Sequence, residues 1–179
     1  MIIARVGAVP TYADQREWAD RFIPEAQRVI TTVLSRIVDV QVAPEHEDNL
    51  RATDLLIDNV RNWGFRVRRP DCPFRDFTVR AVINSGRRTE LAKIMAGHGD
   101  QYLYAWTSEA SDANRRFSEW AVIDLDSFRD RYDVLAPLAK RERNHGAKDS
   151  DFDAWSIGAL AENEVKMQTK MTQPSLFAR

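Results

Sequence analysis

A chain of 179 residues and 20.6 kDa is enough for one compact domain with a tail, and too short for two ordinary domains with a core each. Its composition, 44% hydrophobic, 9% aromatic and 30% charged, excludes wholesale disorder and a collagen-like chain, and the lone Cys72 excludes internal disulfides and multi-cysteine zinc sites. The net charge of −1 hides a basic middle, ten Lys and Arg against five Asp and Glu between Arg51 and Lys93, which can present a local field to phosphates inside acidic flanks.

Met1 to Pro10 is too short and interrupted for a signal peptide, and no apolar run approaches the roughly 20 residues that cross a bilayer, so a cytoplasmic protein is expected. Thr11 is placed to cap a helix through Asp14, Glu17 and Trp18. Pro24 fits a fresh first turn, and Ala26, Val29, Ile30, Val33, Leu34 and Ile37 then recur at helical spacing. Alternation of Val38, Val40 and Val42 suggests a short strand ended by Pro44. Thr53–Asn59, Phe65–Arg69 and Phe77–Ile83 read as three strands of a meander, with Arg66 and Arg68 on one face of theirs and Asp76, Thr78 and Arg80 on one face of the next. Thr89 caps a short helix through Leu91, Ile94 and Met95. Gln101–Trp106 and Glu119–Leu125 complete the sheet, Ser108–Asn114 is a polar hairpin loop, and Phe128–Leu138 a closing helix. Tyr102, Tyr104 and Trp106 share a side, a pattern that means core more often than base stacking. The fold class is α+β: a mixed β-sheet flanked by helices over 1–138, followed by a charged linker and tail over 139–179.

The tail ends Gln173-Pro174-Ser175-Leu176-Phe177-Ala178-Arg179, so an apolar pair returns after a polar stretch. This segment resembles the motif by which bacterial polymerases and repair proteins dock on the DNA polymerase sliding clamp, Gln-Leu-Ser/Asp-Leu-Phe, with proline at 174 in place of leucine. The resemblance implies that Leu176 and Phe177 fill an apolar pocket, that Gln173 hydrogen-bonds beside it and that Ser175 shapes the extended peptide. A few anchors of this kind can carry most of an affinity.

The order helix, three strands, helix, strand over residues 25 to 125 resembles the PD-(D/E)XK, or restriction-endonuclease-like, nuclease core. That resemblance implies Mg²⁺-dependent phosphodiester hydrolysis, with carboxylates holding the ion and lysine orienting water. It points to Asp54 or Asp76 as strand acid, to Glu90 and Lys93 in place of Glu-x-Lys, and to Asp54, Asp76 and Glu90 as metal ligands. Arg66-Val67-Arg68-Arg69 stands where Glu-x-Lys is wanted on the strand after Asp54, and arginine cannot ligate a metal. Glu90 and Lys93 share a helical face, the geometry of a surface ion pair. The blocks Thr53-Asp54-Leu55, Arg66 to Arg69, Asp76 to Arg80 and Thr89 to Ile94 also resemble bacteriophage proteins of this size. The residues themselves place Arg66, Arg68, Arg69 and Arg80 as donors to a DNA backbone. The expectation is a DNA-processing protein recruited to the sliding clamp, an Mg-dependent nuclease or, alternatively, a non-catalytic clamp-binding protein that modulates host replication. No Gly-rich phosphate loop and no clustered histidines support another chemistry.

Overall fold

The computed structural model describes residues 12–34, 40–42, 55–57, 61–83, 86–143 and 150–171. Two helices open it, α1 (Tyr12–Asp20) and α2 (Ile23–Leu34). Ala26, Val29 and Ile30 recur at the spacing that lines one face of α2, and all three are buried with Phe22. That face packs on a six-stranded sheet of order β1-β2-β3-β5-β6-β9, built from β1 (Val40–Val42), β2 (Leu55–Ile57), β3 (Arg61–Arg68), β5 (Gln101–Trp106), β6 (Glu119–Asp124) and β9 (Met167–Lys170). The pair β3–β5 is parallel and the others antiparallel. A second, antiparallel sheet of order β4-β8-β7 contains β4 (Asp76–Ile83), β7 (Lys140–Arg143) and β8 (Ser150–Ser156).

Strand alternation divides the core between the two faces of the large sheet. Trp63, Val67, Leu103, Ala105 and Val122 meet α2, while Tyr102, Tyr104, Trp106, Ala121 and Ile123 meet Phe77, Val79 and Trp155 of the small sheet. Short helices complete the fold: α3 (Glu90–Met95), α4 (Glu109–Ala113), which meets α1 where Trp18 Nε1 donates to Asp112 Oδ1 at 3.1 Å, α5 (Leu125–Asp130), α6 (Tyr132–Leu135) and α7 (Ile157–Glu162). The α+β class and a mixed sheet flanked by helices are as expected, the second, antiparallel sheet is not, and none of the described helices is long and apolar enough to cross a membrane.

Three expectations are corrected. The meander stops at β3: β4 leaves for the second sheet, and β5, reached through α3, takes the place beside β3. The segment Ser108–Asn114 contains α4 rather than a bare hairpin loop, because Ser108 and Ser111 form a reciprocal cap. The stretch from 139 is not a linker, since β7, β8, α7 and β9 complete both sheets, with Trp155, Leu160 and Val165 buried in the core. The charged residues of β7 and β8 resemble a solvated segment because opposite charges there face each other across paired strands. Arg141 pairs with buried Asp153 across β7 and β8, so the acids there neutralise neighbours instead of marking a solvated tail.

Candidate functional site: an arginine cluster between the sheets

Strand β4 is an edge strand, paired with β8 on one side only. An edge leaves main-chain donors and acceptors without a ladder partner, and residues i and i+2 present theirs in the same direction. On this edge the Thr78 carbonyl accepts from Arg66 Nη1 at 2.8 Å and the Arg80 N–H donates to Glu90 Oε2 at 3.0 Å. Arg66 and Glu90 are themselves joined, Nη2 to Oε2, at 2.8 Å. The ion pair thus stands in for a neighbouring strand.

Local sequence places both partners. Arg66 alternates away from the helix-facing Phe65 and Val67 on β3. Glu90 is the first residue of α3, whose start is fixed by Thr89 accepting from the Ala92 N–H at 3.0 Å. Tyr102 completes the arrangement, its hydroxyl donating to Glu90 Oε1 at 2.7 Å. The ring reaches there by lying across Gly64, its register partner on β3, where a Cβ would come within 2.5 Å of two ring carbons. Burial alone would push the Glu90 carboxyl up, but the Arg66 charge and the bonds from Tyr102, the Arg80 N–H and Arg66 outweigh it and hold the group below the usual carboxylate range.

One step along β3, Arg68 donates from Nε to Tyr104 Oη at 2.7 Å and from Nη2 to Thr78 Oγ1. Thr78 Oγ1 and Tyr104 Oη are 2.6 Å apart. Arg80 projects from β4 on the same face as Thr78, and its register partner on β8 is Phe152. The guanidinium carbons of Arg66 and Arg80 lie 5.7 and 5.9 Å from the centroid of that ring. Arg80 Nε is buried and has no hydrogen-bond partner.

Asp76 is four residues from Arg80 on β4, about 13 Å along the strand at the usual rise. Burial first, and the Glu142 charge second, push its carboxyl above the ordinary aspartate range, with Lys140 and Arg68 opposing. Lys140 and Glu142 pair at 3.2 Å on β7. The described acids therefore occupy opposite ends of the cluster. Glu90 does not fit a magnesium ligand in this arrangement, because both its oxygens accept from protein donors and an ion would have to displace Arg66 or Tyr102. Among the described residues no three His, Cys, Asp or Glu side chains come together as a metal site. Asp54 lies outside the described residues, as do Gln173, Ser175, Leu176 and Phe177.

Two further expectations change. The Glu90–Lys93 surface pair gives way to the Glu90–Arg66 contact, since the first turn of α3 faces the sheet edge. Arg69 is apart from the other arginines, stacked on Trp18 of α1 at 4.6 Å. Tyr102, Tyr104 and Trp106 are core, as their spacing suggested, with exposures of 2%, 0% and 0%. Sequence reasoning missed Phe152 and the tyrosine hydroxyls. The first lay in a presumed linker, and the second are polar tips on otherwise apolar rings. No protein-family model matches the chain, and a search of curated proteins returns no match.

Proposed function

We propose that this is a DNA-associated protein of the non-catalytic kind, one that docks on the bacterial sliding clamp through Gln173, Ser175, Leu176 and Phe177 and holds a nucleic-acid backbone with Arg66, Arg68 and Arg80. The observation that carries the choice over a Mg²⁺ nuclease is the engagement of Glu90: the acid wanted for metal binding is committed to Arg66, Tyr102 and the edge of β4. A restriction-endonuclease-like ancestry would rest on β2, β3 and β5, because β4 stands in the other sheet. Leu176 lies six positions beyond Lys170, the end of β9, a reach of about 20 Å when extended. A tether of that length supports docking on a clamp and DNA contact by one molecule at the same time.

Fluorescence polarisation with purified clamp tests the docking: the intact protein binds, and Leu176→Ala with Phe177→Ala weakens binding at least about tenfold, as loss of two hot-spot anchors requires. Equal binding by the double variant removes clamp recruitment. Plasmid nicking with Mg²⁺ or Mn²⁺ tests the non-catalytic assignment. Nicking that is lost in Asp76→Asn or Asp54→Asn would restore the nuclease reading.

A further inference from the structure

We infer that the arginine cluster between β3, β4 and β8 is an oxyanion site that takes a single phosphate group carrying two negative charges, a free phosphate or the phosphate monoester at a DNA end. The DNA source rests on the function proposed above; the pocket itself does not.

Donor and acceptor accounting leads to this site. Thr78 and Tyr104 share one hydroxyl proton between their oxygens, and Arg68 donates to both oxygens. Whichever of the two hydroxyls donates, the proton of the other has no acceptor among the described residues. Arg80 Nε is buried without a partner, and no hydrogen bond or ion pair is made by the rest of that guanidinium among the described residues. Glu90, which accepts from the Arg80 backbone N–H, already has three donors. The cluster therefore holds donors left over once its acceptors are engaged, where buried polar groups normally find a partner.

Charge points the same way. Three guanidiniums, Arg66, Arg68 and Arg80, stand against Glu90, paired with Arg66, and Asp76, which feels the Arg68 charge from along β4, so positive charge is in excess in a partly buried place. Asp76 and Glu142 face the far end, where Lys140 is paired with Glu142. A water molecule would accept about two hydrogen bonds and no charge, whereas a phosphate monoester dianion offers three terminal oxygens and matches the excess. Phe152 beside Arg66 and Arg80 supplies an apolar wall.

Calorimetric titration of the full-length protein in chloride buffer tests the site with inorganic phosphate, a 5′-phosphorylated oligonucleotide and the same oligonucleotide with a 5′-hydroxyl. Phosphate is expected to bind and to raise the melting temperature, and Arg80→Gln to weaken binding at least about tenfold, the loss of a charge-assisted pair. Because the Arg80 side chain makes no described hydrogen bond to the fold, that variant should melt close to wild type, and Arg80→Lys should recover part of the affinity. Absence of phosphate binding and of phosphate-dependent stabilisation in the wild type, or full affinity in both Arg80→Gln and Arg68→Gln, overturns the pocket. A preference for the 5′-phosphorylated strand, lost in Arg80→Gln, supports the DNA source. Phosphate binding without that preference sustains the pocket for a small phosphate and counts against the DNA reading alone, while the clamp assay reports separately on the tail.

Discussion

Replacing Glu90 by glutamine keeps the side-chain shape and the bond from Tyr102 but removes the charge that faces Arg66. The Glu90 side chain is 15% exposed and that of Arg66 25%, so the pair is desolvated enough for the loss of one partner to matter. Breaking a buried pair from one side costs about 3–5 kcal/mol, and the residual exposure here places the expectation near the lower bound, ~3 kcal/mol. For a chain of this length that is a fall of roughly 6–12 °C in melting temperature. Urea unfolding followed by tryptophan fluorescence measures the free energy, and the double variant Glu90→Leu with Arg66→Met should regain much of it, since both charges are then gone. The pH dependence has a fixed sign. A carboxyl held below its unfolded value contributes stability that is present above that value and lost as pH falls through the folded one, so wild type and Glu90→Gln should converge in acid. A cost under about 0.5 kcal/mol at pH 7, the scale of a surface pair, would mean that the ion pair does not secure the edge of β4.

Asp76 is expected to act in the opposite sense. Its carboxyl is pushed up by burial and by Glu142, so the folded state binds its proton more tightly and stability falls as pH rises from the ordinary aspartate range through the raised value. Asp76→Asn should melt higher than wild type at pH 7, with the difference closing toward about pH 4, the unperturbed value, in a series of thermal melts. Tyr104→Phe removes the partner of both Arg68 and Thr78 in a fully buried position and should cost about 1–2 kcal/mol by urea titration. Gly64→Ala forces the Tyr102 ring off β3 and away from Glu90, an overpacking expected to cost about 1–3 kcal/mol, read as a shift in the unfolding midpoint. Truncation after Leu138 removes Trp155, Leu160 and Val165 from the core and should yield a chain without a cooperative melting transition.

Sequence pattern revealed α2 because its one dry face recurs with period 3.6, and β5 and β6 because they are short, largely apolar runs with both faces buried between the two layers. It also revealed α3 through the Thr89 cap and grouped Arg66, Arg68 and Arg80 by alternation. The departure of β4 to a second sheet was not legible: Phe77 and Val79 satisfy either sheet equally well, and the deciding partner, Trp155, lies far along the chain. The role of Glu90 was hidden for a similar reason. Its helix neighbour Lys93 is visible in the sequence, whereas Arg66 becomes adjacent only when α3 crosses the edge of β4. Charged segments near the C-terminus read as solvated because local pattern does not distinguish a charge facing water from one facing an opposite charge across two strands, as Arg141 faces Asp153.

The pairing of β4 with β8 joins segments about seventy residues apart in the chain, a separation that delays closure during folding. During synthesis, Arg66, Arg68 and Arg80 leave the ribosome well before Phe152 and Trp155 exist to receive them. An early-emerging basic segment would then wait, unassembled, for the last strands. Competence to grip a charged partner is in that case a property of finished molecules, withheld from nascent ones by the order in which the chain is made.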